Sequence, residues 1–359
     1  MNICFFLGNI NLAGGTERVA TVIANELHDK GYSVHLLSLQ CGDKPFFDVA
    51  ESIRISQLFT TEGRGNRRLP IAVFRLREYL KKNNINILID VESMLSIYAI
   101  PAVVGLNLRH ICWEHFNYNV DLGKASRRLA RKLAAFFSDD VVTLTERDKQ
   151  LWLANTFCKA NVTAITNPVT IPPPARINPH KEKLFLAVGR LTYQKGFDLL
   201  LQAWKLVVNV HPDWRLRIVG DGEDKNMLET LIHNFNIEGS VEILPKTNNI
   251  SVHYQQASFF VMSSRFEGFG LVLVEAQSYG LPAISFNCDV GPAEIISHGE
   301  TGWLCEPESY LSLSDEMVNA VNIFQTPVYK RLSENAVLNT NRFTLDNIIS
   351  LWIKLLSRV

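Results

Sequence analysis

Neither sign of charge dominates this chain of 359 residues: 36 Lys and Arg stand against 36 Asp and Glu. A dedicated nucleic-acid binder carries a basic excess, so nucleic acid is set aside as a partner. Long apolar runs are missing too. The longest, near Leu95 to Leu108, is too short to cross a bilayer and contains Pro101. The N-terminus, MNICFFLGNI, has no basic region and no small-residue cleavage site, so no secretory signal is expected. Cysteine is sparse and scattered, at 4, 41, 112, 158, 288 and 305. No pair has CxxC spacing and no Cys/His cluster has zinc spacing, so buried reduced thiols in a cytoplasmic protein are expected, with no metal. No internal repeat is present.

What is there is globular: 47% hydrophobic and 20% charged residues. Neutrality hides an asymmetry, because residues 1–170 hold 20 Lys/Arg and 16 Asp/Glu and the remainder the reverse, 16 and 20. Apolar runs alternate with helical patterns, the mark of a parallel α/β architecture. Strands are expected at Ile3 to Leu7, Ser33 to Leu39, Ile85 to Val91 and Asp140 to Leu144. After the first strand comes a turn-rich loop, Gly8 to Gly15. Thr16 then opens a helix with apolar positions Val19, Val22, Ile23, Ala24 and Leu27.

The stretch Thr166 to Lys183 holds five prolines and no periodicity, so it reads as a linker. A second series follows. Strands are expected at Lys183 to Val188, Trp214 to Val219, Val241 to Leu244, Ser258 to Met262 and Pro282 to Phe286. Helices are expected at Phe197 to Val208, Asp224 to Phe235, Gly270 to Tyr279 and Thr344 to Leu356. The domain reading is 1–168, a linker at 169–183, 184–340, and a C-terminal helical segment at 341–359 packing back on the first domain.

Three loops carry chemistry. Gly14-Gly15-Thr16-Glu17-Arg18 sits between a strand and a helix. Glycines there let backbone approach a ligand, and a helix start offers unpaired N–H groups to an anion. An ordinary turn with Thr16 as N-cap reads equally well. Val188 to Gly196, VGRLTYQKG, puts Arg190 and Lys195 in one strand-to-helix loop, where a planar fork and a point charge can converge on a diphosphate. Ser263 to Glu275, SSRFEGFGLVLVE, sets Glu267 and Glu275 eight positions apart around a glycine-bearing helix start. Glu267 falls at a strand's C-terminal end, where open α/β sheets bind ligands. Each carboxylate can accept two hydrogen bonds from sugar or ribose hydroxyls.

With these residues in view, the chain resembles glycosyltransferase family 4 over essentially its whole length. The resemblance rests on the Glu267/Glu275 pair within FEGFGLVLVEAQSYGLPAI, on VGRLTYQKGFDLLLQAW, on VGDG at Val219 to Gly222, on GGTERV, and on GPAEII and HGETGWL near the C-terminus. It implies the GT-B fold, two Rossmann-like domains facing each other across a cleft. It implies a retaining, metal-independent transfer of a hexose or N-acetylhexosamine from a nucleotide sugar, a UDP-sugar first and a GDP-sugar second. The nucleotide sugar is a co-substrate, so no cofactor is expected. The acceptor implied is a glycan on undecaprenyl diphosphate, in surface-polysaccharide synthesis (O-antigen, capsule or exopolysaccharide) at the inner face of the cytoplasmic membrane.

The resemblance also assigns residues. Arg190 and Lys195 would hold the donor diphosphate, and Glu267 would contact the donor sugar. Glu275 would bind the ribose, while Gly220 and the backbone of Gly268, Phe269, Gly270 and Leu271 would help clamp sugar and phosphate. Gly14 and Gly15 would approach the diphosphate from the other domain. His115, within CWEHFNY, matches the family's sugar-site histidine. No D-x-D motif is seen; Asp139-Asp140 sits before a strand, and Asp221 to Asp224 reads as a turn and helix cap.

Lys124 to Phe137, KASRRLARKLAAFF, sets cations at 124, 127, 128, 131 and 132 against apolar residues at 129, 133, 136 and 137. Arg64 to Lys82 adds Arg67, Arg68, Arg75, Arg77, Lys81 and Lys82. Such segments either lie on anionic lipid or are surface helices with the apolar face in the core. Rival readings are an NAD-dependent oxidoreductase, which lacks its G-x-G-x-x-G fingerprint here, a GT-B sugar-nucleotide epimerase, and a non-catalytic nucleotide- or carbohydrate-binding protein.

Overall fold

A computed structural model describes residues 1–63, 65–178 and 181–358, with only the backbone of residues 65–67. Arg64, and Pro179 and His180 of the Pro-rich stretch, lie outside the described residues, as does the side chain of Arg67. The chain divides into two compact units. One is Met1–Thr170 with Leu345–Val359, and the other is Ile171–Thr344. Each is described by itself.

The first unit is built on a seven-stranded parallel sheet. Its strands are β1 (Asn2–Leu7), β2 (Ser33–Gln40), β3 (Arg54–Phe59), β4 (Ile87–Val91), β5 (Arg109–Trp113), β6 (Asp140–Thr143) and β7 (Asn161–Ala164). The order is β3-β2-β1-β4-β5-β6-β7. The second unit holds a six-stranded parallel sheet of β8 (Leu184–Val188), β9 (Arg215–Val219), β10 (Val241–Leu244), β11 (Phe259–Met262), β12 (Ala283–Phe286) and β13 (Gly302–Cys305). Its order is β10-β9-β8-β11-β12-β13.

These are Rossmann-like units. Helices cover both faces of such sheets, so the central strands are apolar throughout; β4 and β11 are buried at every position. In each sheet the order reverses once, between β1 and β4 and between β8 and β11. The region beyond the strands' carboxyl ends at such a reversal is the usual ligand position in an open α/β sheet.

Short strands escaped the sequence pattern. β3 reads RISQLF, with only its Leu58 buried, and β7 reads NVTA with none buried. Both are edge strands without the apolar run that marks a central one. β5 was missed because it begins Arg109-His110, polar residues that meet buried carboxylates inside the fold. Arg109 grips Asp140 Oδ2 at 2.5 Å and two carbonyls of the C-terminal segment, and His110 Nε2 lies 2.7 Å from Asp90 Oδ2. Asp140 opens β6, as the strand expected at Asp140 to Leu144 has it, and only Asp139 lies ahead of the strand.

The helix Leu345–Leu356 belongs to the first unit. Its Trp352 meets Trp113 of β5 edge to face at 4.8 Å, and both are buried. Residues 171–178 and 181–183 form no helix or strand, but they are tied down. Tyr279 Oη donates to Pro172 O at 2.9 Å, and Lys181 Nζ donates to Tyr254 O and Tyr279 O. No helix among the described residues is long and apolar enough to cross a membrane.

The helix Ala125–Phe137 corrects one expectation for its sequence, that the apolar face lies in the core. Arg127 and Arg131 point inward and are 4% and 2% exposed, while Leu129 and Phe137 point out at 54% and 57%. The inward face is otherwise Ala130, Ala134 and Ala135. Two carboxylates met below, one buried and one half-buried, pull those arginines in. Three cations of the helix Gly65–Lys82 are also occupied. Arg75 bonds Leu58 O, Arg77 bonds Ala102 O and Val104 O, and Arg68 bonds Thr61 O.

Candidate active site

In the second unit the site grows from the reversal between β8 and β11. The loop after β8 carries Arg190 and Lys195; the loop after β11 carries Glu267. Backbone and side-chain bonds lock the two loops together. Arg265 N donates to Gln194 O at 2.8 Å, Gln194 Nε2 to Phe266 O at 3.0 Å, and Ser263 Oγ to Lys195 O at 2.9 Å. Arg265 forks onto both carboxylate oxygens of Asp198 at 2.9 and 2.7 Å and lies over the Tyr193 ring.

That frame brings Lys195 Nζ to 2.6 Å from Glu267 Oε1. Glu267 is 7% exposed. A buried carboxylate is costly unless paired, so the pair holds both side chains at the mouth of the two strands. Arg190, in the same loop, is exposed and has no ion-pair partner among the described residues. Cys288, buried beside the pair, is pushed up to about 12, by burial first and then by the Glu267 charge. It is a protonated bystander.

Gly220 follows β9, next to β8. A Cβ there would stand 1.8 Å from Gly189 O, so only glycine lets these two loops touch. Gly270 caps the helix Leu271–Ser278 at φ +96, a conformation that favours glycine. The first N–H groups of that helix have no partner within it. Phe269 is buried against Phe343, while Gly268 and Leu271 are half-buried. Glu275 lies inside the helix and is buried; its Oε2 accepts from Tyr254 Oη at 3.1 Å.

In the first unit the helix Gly15–Asp29 starts one residue earlier than its sequence suggests. Gly14, extended at φ −90 and ψ 162, is the N-cap; Thr16 is the second helical residue and caps nothing. Across the order reversal, Glu92 follows β4 at φ +101, a strained backbone for a residue with a Cβ. Its carboxylate takes Arg127 Nη2 at 2.7 Å, and its pKa is raised, chiefly by burial.

His115 follows β5. Its ring lies 4.4 Å from the Trp113 ring, and its Nε2 is buried with no hydrogen-bond partner. Glu114 fixes the backbone there by accepting from His115 N at 3.0 Å and Phe116 N at 3.1 Å. Arg131 Nε and the Ser93 hydroxyl complete the Glu114 shell at 3.0 and 2.6 Å. Burial alone would raise Glu114; Arg131, Ser93 and Arg127 together outweigh it and hold the carboxyl below its usual range.

Comparison with known proteins decides the family. The "Glycosyltransferase Family 4" model matches residues 13–171 and the "Glycosyl transferases group 1" model residues 173–337. An uncharacterized glycosyltransferase of Haemophilus influenzae is 36% identical over 352 residues, 98% of both chains. The amylovoran biosynthesis glycosyltransferase AmsD of Erwinia amylovora is 32% identical over 368 residues, 99% of both. This chain belongs to glycosyltransferase family 4. Its fold matches that of Anabaena HepE, solved in complex with UDP, with a TM-score of 0.83 over all of both chains at 18% identity. The fold is thus GT-B.

In this glycosyltransferase, then, one pair of the expected residues is joined directly, Lys195 with Glu267. Arg190 is exposed in the same loop as Lys195. The clamp made by Gln194, Arg265 and Asp198 was missed because polar residues in loops have no period to reveal them. Glu92, Glu114, Arg127 and Arg131 were missed for another reason. The cations were read as an exposed face, although Glu92 directly follows the apolar run ILIDV and that position marks a strand end.

His115 yields a test. Burial holds its imidazole down to about 4, against 6.5 when free. The ring is therefore neutral at pH 7. An unfolded chain binds this proton between 6.5 and 4 and the folded chain does not, so stability falls as pH drops through that window, by about 3 kcal/mol in total. Histidine-selective NMR should find one ring that titrates near 4 and disappears in His115→Gln. A His115 resonance titrating at 6 or above would refute it.

Proposed function

We propose that this chain is a retaining, metal-independent hexosyltransferase that uses a UDP-sugar. The acceptor is a glycan on undecaprenyl diphosphate, and the product enters a surface polysaccharide. The observation that carries the reading is the Lys195–Glu267 pair at the β8/β11 reversal, with Arg190 exposed in the same loop. Support for the polysaccharide comes from the relative named for amylovoran biosynthesis, and support for UDP from the HepE complex.

Each residue then has a task. Arg190 and Lys195 neutralise the diphosphate as it leaves, and the N–H groups ahead of Leu271–Ser278 add to that stabilisation. Glu267 accepts hydrogen bonds from the sugar hydroxyls. Glu275 serves the ribose. The acceptor hydroxyl attacks the anomeric carbon on the face from which the diphosphate departs. The carbon–oxygen bond to phosphate breaks as the bond to the acceptor forms, and the acceptor proton passes to the departing phosphate oxygen. His115, neutral at pH 7, acts as a hydrogen-bonding group and not as a cation.

Thermal unfolding with UDP, GDP, ADP and NAD tests the donor. A ligand at about one hundred times its Kd stabilises by about 2.7 kcal/mol, a shift of a few degrees. A shift with UDP is expected, without added metal. A shift with GDP alone would change the base and keep the class; a shift with NAD alone would overturn the reading.

A further inference from the structure

Glu92 stands at the end of β4, where the first sheet reverses its order, and its backbone is fixed from both sides. Its N–H donates to Trp113 O at 2.8 Å, and its carbonyl accepts from Leu95 N at 3.1 Å. Between these bonds the residue is held at φ +101, a conformation that residues with a side chain rarely adopt. Strain of this kind persists only where the surroundings impose it, and it clusters at ligand sites. The carboxylate is 27% exposed, whereas Arg127, which holds its Oε1, is 5% exposed. Arg127 rests on the Phe116 ring at 4.2 Å, and its Nε and Nη1 are buried with no hydrogen-bond partner among the described residues. On the other side of the reversal, after β1, Glu17 lays its Oε2 against Gly14. Burial raises the Glu92 pKa most; Arg127 opposes it, and the charges of Glu114 and Glu17 add to it.

An ion pair that served packing alone would need neither a strained backbone nor an open carboxylate. This pair is open on its carboxylate side and unfilled on its guanidinium side. A sugar hydroxyl both donates and accepts, so it fits beside such groups. An anionic group does not, because Glu92, Glu114 and Glu17 set three negative charges against the cations of Arg127 and Arg131. We propose that Glu92 recognises a hydroxyl of an uncharged sugar, the terminal residue of the acceptor. That this sugar belongs to the acceptor rests on the transferase reading; that a neutral sugar binds at Glu92 does not.

Carboxylate NMR of the full chain, carrying ¹³C at the glutamate side-chain carboxyl, tests it. The Glu92 signal is the one missing from both Glu92→Gln and Glu92→Asp. The probes are the methyl α- and β-glycosides of glucose, galactose, mannose, N-acetylglucosamine and N-acetylgalactosamine. At least one should move the Glu92 signal saturably at millimolar concentration, and the uronic acid of the same ring configuration should bind at least about tenfold more weakly. Saturation transfer to that glycoside should fall at least about fivefold in Glu92→Gln, while the thermal shift given by UDP stays that of the native chain. A Glu92 that only anchored Arg127 would keep its signal in place, so a set of glycosides that never moves it overturns the proposal. Equal binding of the uronic acid does so too. A glycoside that moves only the Glu267 signal, the one missing from Glu267→Gln, has bound at the donor site and also overturns it. If the Glu92 signal responds and UDP gives no thermal shift, the neutral-sugar site stands and the UDP-sugar reading falls.

Discussion

Replacing Lys195 by alanine is expected to lower kcat by about 10²–10³-fold, the cost of losing one preorganised charge contact to a leaving group, about 2.7–4 kcal/mol. The variant also strips Glu267 of its cation, and an uncompensated buried carboxylate destabilises the fold. Two further variants separate these effects. Lys195→Met/Glu267→Gln removes both charges at nearly constant volume, so its unfolding midpoint should return close to that of the native chain. Its turnover should not return. Arg190→Ala removes an exposed side chain with no ion pair to lose, so stability should change by less than about 0.5 kcal/mol. Turnover should still fall by a factor of the same order. If either Arg190→Ala or Lys195→Ala turns over like the native chain, these cations do not hold the diphosphate. If the double variant regains activity, Lys195 served only to support Glu267.

Legibility differed between the two units for a physical reason. In the second unit the chemistry stands in strand-to-helix loops, where glycines and charges are conspicuous against apolar runs. Arg190, Lys195, Glu267 and the helix start at Leu271 could all be found from spacing. Their pairing could not, because the clamp that brings Lys195 to Glu267 is made by Gln194, Ser263 and Arg265 across 68 to 72 residues of chain. Central strands were equally plain except β5, which opens on the polar pair Arg109-His110, whereas β3 and β7 lie at a sheet edge and lack the signal. In the first unit the helical period of Lys124 to Phe137 was legible and its orientation was not. A hydropathy pattern assumes that cations face water. Glu92 and Glu114, far away in the sequence, reverse that assumption for Arg127 and Arg131, and charge partners of this kind leave no periodic trace.

The same reversal sets up the largest stability effect expected outside the transferase site. Glu114 and Arg131 are both almost wholly buried. The guanidinium also donates to Tyr118 O, Asn117 O and Val120 O, and so ties down the loop that follows His115. Removing one member of a buried pair costs about 3–5 kcal/mol, because the other charge is left unpaired. Glu114→Gln should therefore lower Tm by on the order of 10 °C. Arg128→Met, which breaks the more exposed pair that the residue next to Arg127 makes with Asp121, should cost under about 1 kcal/mol. The pH dependence has a definite sign. The Glu114 carboxyl is held below its ordinary 4.5, so the pair's contribution is present above that pH and is lost as pH falls through the lowered value. Native chain and Glu114→Gln should converge in acid. Because Glu114 also accepts from the His115 amide, the variant should shift the His115 NMR signal at neutral pH, and Arg128→Met should leave it in place. Equal Tm values for Glu114→Gln and Arg128→Met would mean that burial does not amplify this pair, and that the inward turn of the helix rests on its alanines alone.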